Sequence, residues 1–84
     1  MKIELLYFGR PGERLKISRE TADVPEGLST LAALLAWLRL RGGKWERELA
    51  DDHVRCAINQ EFSGLTASIS EYDEIAIFSL ISGG

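Results

Sequence analysis

The end of the chain carries the residues with the clearest chemical use. Gly83 and Gly84 close the 84-residue sequence, and they follow a largely apolar run at residues 75–81. Because glycine has no Cβ, a diglycine can pass through a channel too narrow for any side chain. A terminal carboxylate has a pKa of about 3.5, so it is ionised at neutral pH. This end of the chain can therefore present a nucleophilic carboxylate to another protein.

That carboxylate would be chemically useful in a partner enzyme. It can attack the α-phosphate of ATP there, and a sulfur donor can convert the resulting acyl-adenylate into a thiocarboxylate. The chain would then be a macromolecular substrate, not a free-standing enzyme, since its sequence shows no nucleophile–base pair and no phosphate-binding loop. The alternative is an ordinary frayed terminus, because chain ends are often small and flexible.

Length and composition agree with a dependent role. A chain of 84 residues forms one domain that buries roughly 60–65% of its unfolded surface, and 45% of its residues are hydrophobic. That is enough for one core but not for a deep cleft, so a partner would supply most of any active site. The net charge of −3 argues against a nucleic-acid surface, which needs clustered cations. Arg10, Lys44 and Arg47 are predicted to be plain surface charges or contacts to acidic partner residues.

The chain has a single cysteine and a single histidine, Cys56 and His53. They can form neither a disulfide nor a structural zinc site, and Cys56 is interpreted as a buried packing residue. No run approaches the ~20 apolar residues of a membrane span, and a charge interrupts the apolar start of the chain. We therefore expect a cytoplasmic protein with no membrane association, no metal and no bound cofactor.

Period-two patterns predict the strands, beginning with residues 2–8. A turn at residues 9–12 and a second strand at residues 14–21, with Leu15 and Ile17 on one face, would complete a hairpin. Further strands are expected at residues 54–59 and 75–80, with a polar turn at 71–74 before the last. Phe62 is placed in a loop-like stretch where a short strand is left open.

One long helix lies between these strands. Thr30 or Ser29 can cap its start, and Gly42 and Gly43 end it. The buried stripe has the spacing i, i+3, i+4, i+7 and comprises Leu31, Leu34, Leu35 and Leu38, widened by Trp37 and Leu40. A turn or second helix follows at residues 45–49, with Trp45 and Leu49 packed inward.

These elements predict an α+β protein with one main helix on a mixed sheet of four to five strands. If the first and last strands lie side by side, both buried faces match, which is a β-grasp (ubiquitin-like) arrangement. The predicted domain covers residues 1–80, and a flexible tail covers residues 81–84.

The alternation also leaves apolar side chains on the sheet face away from the helix. Leu6, Phe8, Ala76, Phe78 and Leu80 lie there, and Phe62 can join them. An uncovered apolar patch on a small sheet usually marks an interface. The alternative is that a loop or the segment around Trp45 covers these residues.

Several segments, taken in order, resemble the small subunit of molybdopterin synthase. They are the opening LLYFG at residues 5–9, Trp45, the AINQ stretch at 57–60, and the last 14 residues with their acidic turn, apolar strand and Gly-Gly. Two positions depart from that family. Glu71-Tyr72 stands where Asp-Gly is usual, which predicts a different turn. Ser79-Leu80 replaces Pro-Pro, which predicts a less rigid exit for the tail.

The resemblance implies a sulfur carrier. An adenylating enzyme related to ubiquitin-activating enzymes would use ATP to activate Gly84, and a sulfur donor protein would form the thiocarboxylate. The tail, including Gly83, would then enter the large subunit and deliver sulfur to cyclic pyranopterin monophosphate during molybdenum cofactor biosynthesis. In that family, two small subunits flank a dimer of large subunits. The implied partner contacts are Phe8, Phe62, Phe78, Leu80 and Ile81.

Three other interpretations stay open. The thiamine-pathway sulfur carriers share the fold and the tail, although they are usually shorter. A ubiquitin-like modifier would be joined through Gly84 to lysines of target proteins. A plain interaction domain would carry Gly-Gly without using it.

Overall fold

The computed structural model describes residues 1–79. In chain order the elements are β1 (Lys2–Tyr7), α1 (Arg10–Leu15), β2 (Arg19–Asp23), α2 (Leu31–Arg39), α3 (Lys44–Glu48), β3 (Val54–Ile58), β4 (Glu61–Ser63) and β5 (Glu74–Ser79). The five strands form one sheet in the order β2-β1-β5-β3-β4. β5 is central, parallel to β1 and antiparallel to β3. The predicted β-grasp arrangement, with the first and last strands side by side, is confirmed.

The core lies between α2 and one face of the sheet. The four leucines of the predicted stripe are fully buried, as are Ile3, Leu5, Ile75 and Ile77. Thr30 caps α2, because its Oγ1 accepts a hydrogen bond from the Ala33 amide at 3.2 Å. The placement of Leu40 in the stripe is wrong. The helix ends at Arg39, so Leu40 lies past its last full turn and is 82% exposed.

The segment after β1 is a helix, which corrects the predicted turn and the predicted strand at residues 14–21. Pro11 lies in the first turn of α1, where its missing N–H costs nothing. A Cβ at Gly12 would lie 2.7 Å from the Tyr7 carbonyl oxygen, so only glycine lets α1 pack this closely on the end of β1. β2 begins later, at Arg19, and pairs antiparallel with β1. Leu15 and Ile17 pack at the edge of the core instead of along a strand.

Phe62 belongs to a strand, β4, and not to a loop. Asn59 and Gln60 connect β3 to β4 with φ values of 50° and 73°, the pattern of a two-residue type I′ turn. The Asn59 side chain also bonds to the start of β5. Its Nδ2 donates to Asp73 at 2.9 Å, and its Oδ1 accepts from the Glu74 amide at 3.0 Å. The hairpin is thereby held against the central strand.

The acidic turn before β5 differs from its prediction. Tyr72 has a φ of 69°, so the chain keeps the left-handed conformation that glycine favours. A bulky residue there costs about 1 kcal/mol. The Tyr72 amide donates to the Lys2 carbonyl at 2.6 Å, which shows why the backbone holds this conformation. The side chain is 75% exposed.

Candidate functional site

The tail leaves from the middle of the sheet. Ser79 ends β5 and is the last residue that the structure describes, so the predicted site residues Leu80, Ile81, Gly83 and Gly84 lie outside the described part. β5 is bonded along both edges, to β1 and to β3. A strand with neighbours on both sides is held more firmly than an edge strand. The sheet therefore fixes the point at which the tail begins.

The sheet face opposite α2 carries exposed aromatic side chains. Phe62 is 80% exposed and Phe8 is 53% exposed, and Phe78 is half-buried. The rings of Phe62 and Phe78 pack together with centroids 5.7 Å apart. We define the open-face patch as Leu6, Phe8, Phe62, Ala76 and Phe78. Trp45 does not cover it, since Trp45 packs edge-on against the buried Tyr7 at 5.7 Å.

The open-face patch is confined to the end of the sheet from which the tail leaves. One row of cross-strand partners runs from Leu6 through Ala76 and Ala57 to Phe62. The next row toward the tail contains Phe78. In the opposite direction the same face becomes charged, with Glu4 beside Glu74 and paired with Arg19 at 3.3 Å. A partner that receives the tail would therefore meet the apolar end of this face.

A cavity of about 370 Å³ lies beside the end of β5. Its lining includes Arg10, Arg47, Glu48, His53 and Ser79. Arg10 pairs with Glu48 at 3.4 Å, and the His53 Nδ1 lies 3.1 Å from the Arg47 carbonyl oxygen. Two of the three cations noted in the sequence, Arg10 and Arg47, thus lie at the tail exit.

Sequence reasoning missed a half-buried polar cluster on the helix side. Arg41 binds both carboxylate oxygens of Glu20 at 2.8 and 3.0 Å, and Glu20 also accepts from the Tyr7 hydroxyl at 2.7 Å. The Arg41 guanidinium lies 4.3 Å from the centre of the Trp45 ring, within cation–π range. The partners come from β1, β2, α3 and the segment between α2 and α3, so no local spacing predicts them. Their contacts join β1 and β2 to the segment between α2 and α3.

The ionisation of this cluster follows from its contacts. The hydrogen bonds from Arg41 hold the pKa of Glu20 below its ordinary value. The same pairing raises the pKa of Arg41. Burial, followed by the Glu20 hydrogen bond, raises the pKa of Tyr7. The ion pair and the neutral phenol therefore persist together at neutral pH, as a structural cluster should.

Cys56 and His53 do not form a reactive pair. Cys56 is 2% exposed, and burial raises the pKa of its thiol to about 12. His53 precedes β3 and is exposed. Within residues 1–79 no group of three or more His, Cys, Asp or Glu side chains could hold a metal ion. No helix in the same residues is long and apolar enough to cross a membrane.

Comparison with known proteins decides the family. The sequence model of the ThiS family matches residues 5–84. The chain belongs to the ThiS family. This ThiS-family protein is 27% identical over 82 residues to the molybdopterin synthase sulfur carrier subunit of Haemophilus influenzae, covering 98% of the chain and 99% of that relative. The family match includes both terminal glycines.

Solved structures share the fold of this ThiS-family chain. A Pyrococcus furiosus protein described as molybdopterin converting factor subunit 1 superposes with a TM-score of 0.77 at 21% identity, over 96% of this chain and 99% of that one. SAMP1 of Haloferax volcanii gives a TM-score of 0.73 at 25% identity, with complete coverage of both chains. The shared fold thus extends over 99% of the first solved chain and all of the second.

Proposed function

We propose that this protein is the sulfur carrier subunit of molybdopterin synthase, with sulfur held as a thiocarboxylate on Gly84. One observation carries the proposal. The ThiS family match runs to residue 84, so it includes Gly83 and Gly84, which follow the central strand β5 in the sequence. The Haemophilus influenzae relative, which is matched over nearly its full length, carries the same function in its name.

The chemistry takes place in partner proteins. A Gly84 carboxylate oxygen attacks the α-phosphorus of ATP in an adenylating enzyme, and pyrophosphate leaves. Hydrosulfide released by a sulfur donor protein then attacks the acyl carbon, AMP leaves, and a thiocarboxylate remains. In the large subunit of molybdopterin synthase, that sulfur passes to cyclic pyranopterin monophosphate. Cys56 takes no part in these steps, because its buried thiol stays protonated at neutral pH.

The open-face patch is the proposed docking surface for these partners. Phe8, Phe62 and Phe78 supply its exposed aromatic area, and aromatic side chains are enriched among residues that dominate binding energy. Leu80 and Ile81 follow directly in the sequence and would extend the contact along the tail. Docking at this end of the sheet brings the terminal glycines to the partner's active site.

Intact mass spectrometry tests the sulfur-carrier step. The protein is incubated with ATP, the adenylating enzyme of its host and a sulfur source, alongside a form lacking Gly84. We expect a mass gain equal to the exchange of one oxygen for sulfur in the full chain only. Oxidation of Met1 or Cys56 gives nearly the same gain, so the change must be located. Cleavage after Glu74 releases residues 75–84, which contain neither methionine nor cysteine.

A second stage identifies the acceptor. Adding the large subunit and cyclic pyranopterin monophosphate should return the thiocarboxylate to a carboxylate as the dithiolene forms. Sulfur retained here but released to the thiamine precursor would favour the thiamine-pathway carrier. Larger adducts that isopeptide cleavage releases would favour the ubiquitin-like modifier. A plain interaction domain would show no modification of residues 75–84 at all.

A further inference from the structure

An arginine lies inside the apolar end of the open face. Arg55 is on β3, and its direct cross-strand partner on β5 is Phe78. Its neighbours on β3, Val54 and Cys56, are buried on the helix side, so alternation directs Arg55 to the open face. The side chain is exposed. A permanent positive charge thus lies next to the Phe62–Phe78 ring pair, on a strand whose register is fixed.

Arg55 has no carboxylate of its own within residues 1–79. Four other arginines are paired there with carboxylates, namely Arg10, Arg19, Arg39 and Arg41. Asp51 lines the same cavity of about 300 Å³ as Arg55, but its carboxylate is bound to Arg39 at 2.9 Å. The guanidinium therefore faces solvent with its donors open to a partner.

Docking through the open-face patch would remove this guanidinium from water. An unpaired charge at the centre of an interface is strongly unfavourable, whereas a charge met by a carboxylate with matched geometry is tolerated or favourable. Arginine presents its donors as a planar fork that suits a carboxylate. A partner surface that fits this patch must therefore combine apolar side chains with an acidic one.

We propose that Arg55 pairs with a carboxylate of the molybdopterin synthase large subunit, at a position surrounded by apolar contacts. This inference rests on the proposed function, because it takes that subunit as the occupant of the open-face patch. The pair would select the partner: an apolar surface without an acid would leave Arg55 buried and unpaired, and would be rejected.

A purely apolar role for Arg55 predicts different behaviour. The aliphatic part of an arginine can cover apolar surface while its charged end stays in water. Arg55→Met keeps that aliphatic length and removes the charge. If Arg55 acts only through its stem, the methionine variant should bind as well as the wild type or better. If it acts through a carboxylate, methionine should bind more weakly because the partner's acid loses its counterion.

The experiment measures the dissociation constant of the purified large subunit for wild type, Arg55→Met and Arg55→Glu. We expect Arg55→Met to weaken binding about 30-fold and Arg55→Glu to weaken it further. Lys2→Glu is the matched control, since Lys2 is on the same sheet face at the end away from the tail. That control makes the same change of charge and should alter binding less than about threefold.

Reversing charges across the interface locates the acid. Each surface Asp and Glu of the large subunit is changed to Lys and tested against Arg55→Glu. Recovery of binding by one such change would identify the partner residue. Wild-type affinity for both Arg55→Met and Arg55→Glu would overturn the inference while leaving the sulfur-carrier function intact. No binding of the wild type would overturn the inference together with its premise, and the thiocarboxylate assay would then show whether the carrier function survives.

Discussion

The two faces of the central strands are built from similar residues but do different work. On the helix side, Ile75 and Ile77 are fully buried under α2. On the other side, Ala76 and Phe78 alternate with them along the same strand and remain partly exposed. Both faces are apolar near the tail, yet only one is needed to hold the fold. Apolar area that folding leaves uncovered is available for a partner.

The largest expected effect is the loss of stability caused by a substitution in the buried face. Ile77→Ala removes a fully buried side chain, so we expect the free energy of unfolding to fall by about 2–5 kcal/mol. Urea denaturation followed by circular dichroism measures this loss. A loss below about 1 kcal/mol would show that the core beneath β5 can collapse around the cavity.

A substitution at the adjacent residue, on the open face, should weaken partner binding and leave the stability of the fold unchanged. Phe78→Ala is expected to weaken binding of the large subunit about tenfold or more, while the fold stays intact. Calorimetric titration gives the dissociation constant, and the melting temperature of the same sample reports on the fold. Phe62→Ala is the companion variant, since Phe62 is more exposed than Phe78. Unchanged binding by both variants would contradict the assignment of the open-face patch.

Low pH should reduce the stability of the protein by protonating Glu20 on the helix side of the sheet. Its pKa is lowered in the folded state, chiefly by the Arg41 hydrogen bonds. The resulting stabilisation is therefore complete above the ordinary carboxyl pKa of 4.5 and is lost as the pH falls through the lowered folded value. We expect Glu20→Gln to cost about 1 kcal/mol at pH 7. The difference from wild type should shrink below pH 4.5, as thermal melts across pH would show.

The smallest expected effect is a gain in stability at Tyr72. Tyr72→Gly removes the backbone strain that a positive φ imposes on a residue with a side chain. Glycine also increases the conformational entropy of the unfolded chain, which offsets part of this gain. We expect a net stabilisation of about 0.5 kcal/mol. Chemical denaturation of the two forms, compared with a Tyr72→Ala control that keeps the strain, isolates the backbone contribution. A destabilised glycine variant would indicate that the tyrosine ring makes a useful contact.

The sequence predicts best where one face of an element is buried. Alternation in β1 and β5 and the leucine stripe of α2 gave the correct strands, helix and faces, because burial imposes those periods directly. The helix α1 was not predicted, because Pro11 and Gly12 are also typical of turns. In the structure Gly12 packs closely against the end of β1, and such a contact between two segments leaves no local pattern. Contacts between distant segments, such as Glu20 with Arg41, leave no local period.

The residues of the candidate site also divide into those that the sequence could place and those that it could not. Phe8 and Phe78 could be placed on the open face by counting along their strands. Phe62 could not be assigned to a strand, since β4 has only three residues and depends on the turn at Asn59 and Gln60. The place of Arg55 next to Phe78 requires the β3–β5 register, which no single segment of sequence contains. The terminal glycines were recognised from sequence, and their role stays a prediction.

The central position of β5 has a consequence for how the protein is made. Without β5 the sheet would be two separate strand pairs, β2 with β1 and β3 with β4. The two pairs are joined only through β5, which lies between β1 and β3. β5 is also the last of the described strands to be synthesised, and the diglycine lies a few residues beyond it in the sequence. A chain that stops before β5 lacks the strand that closes the sheet and also the diglycine on which the proposed sulfur chemistry depends. We therefore expect an incomplete chain neither to complete the sheet nor to be charged with sulfur under the proposed function.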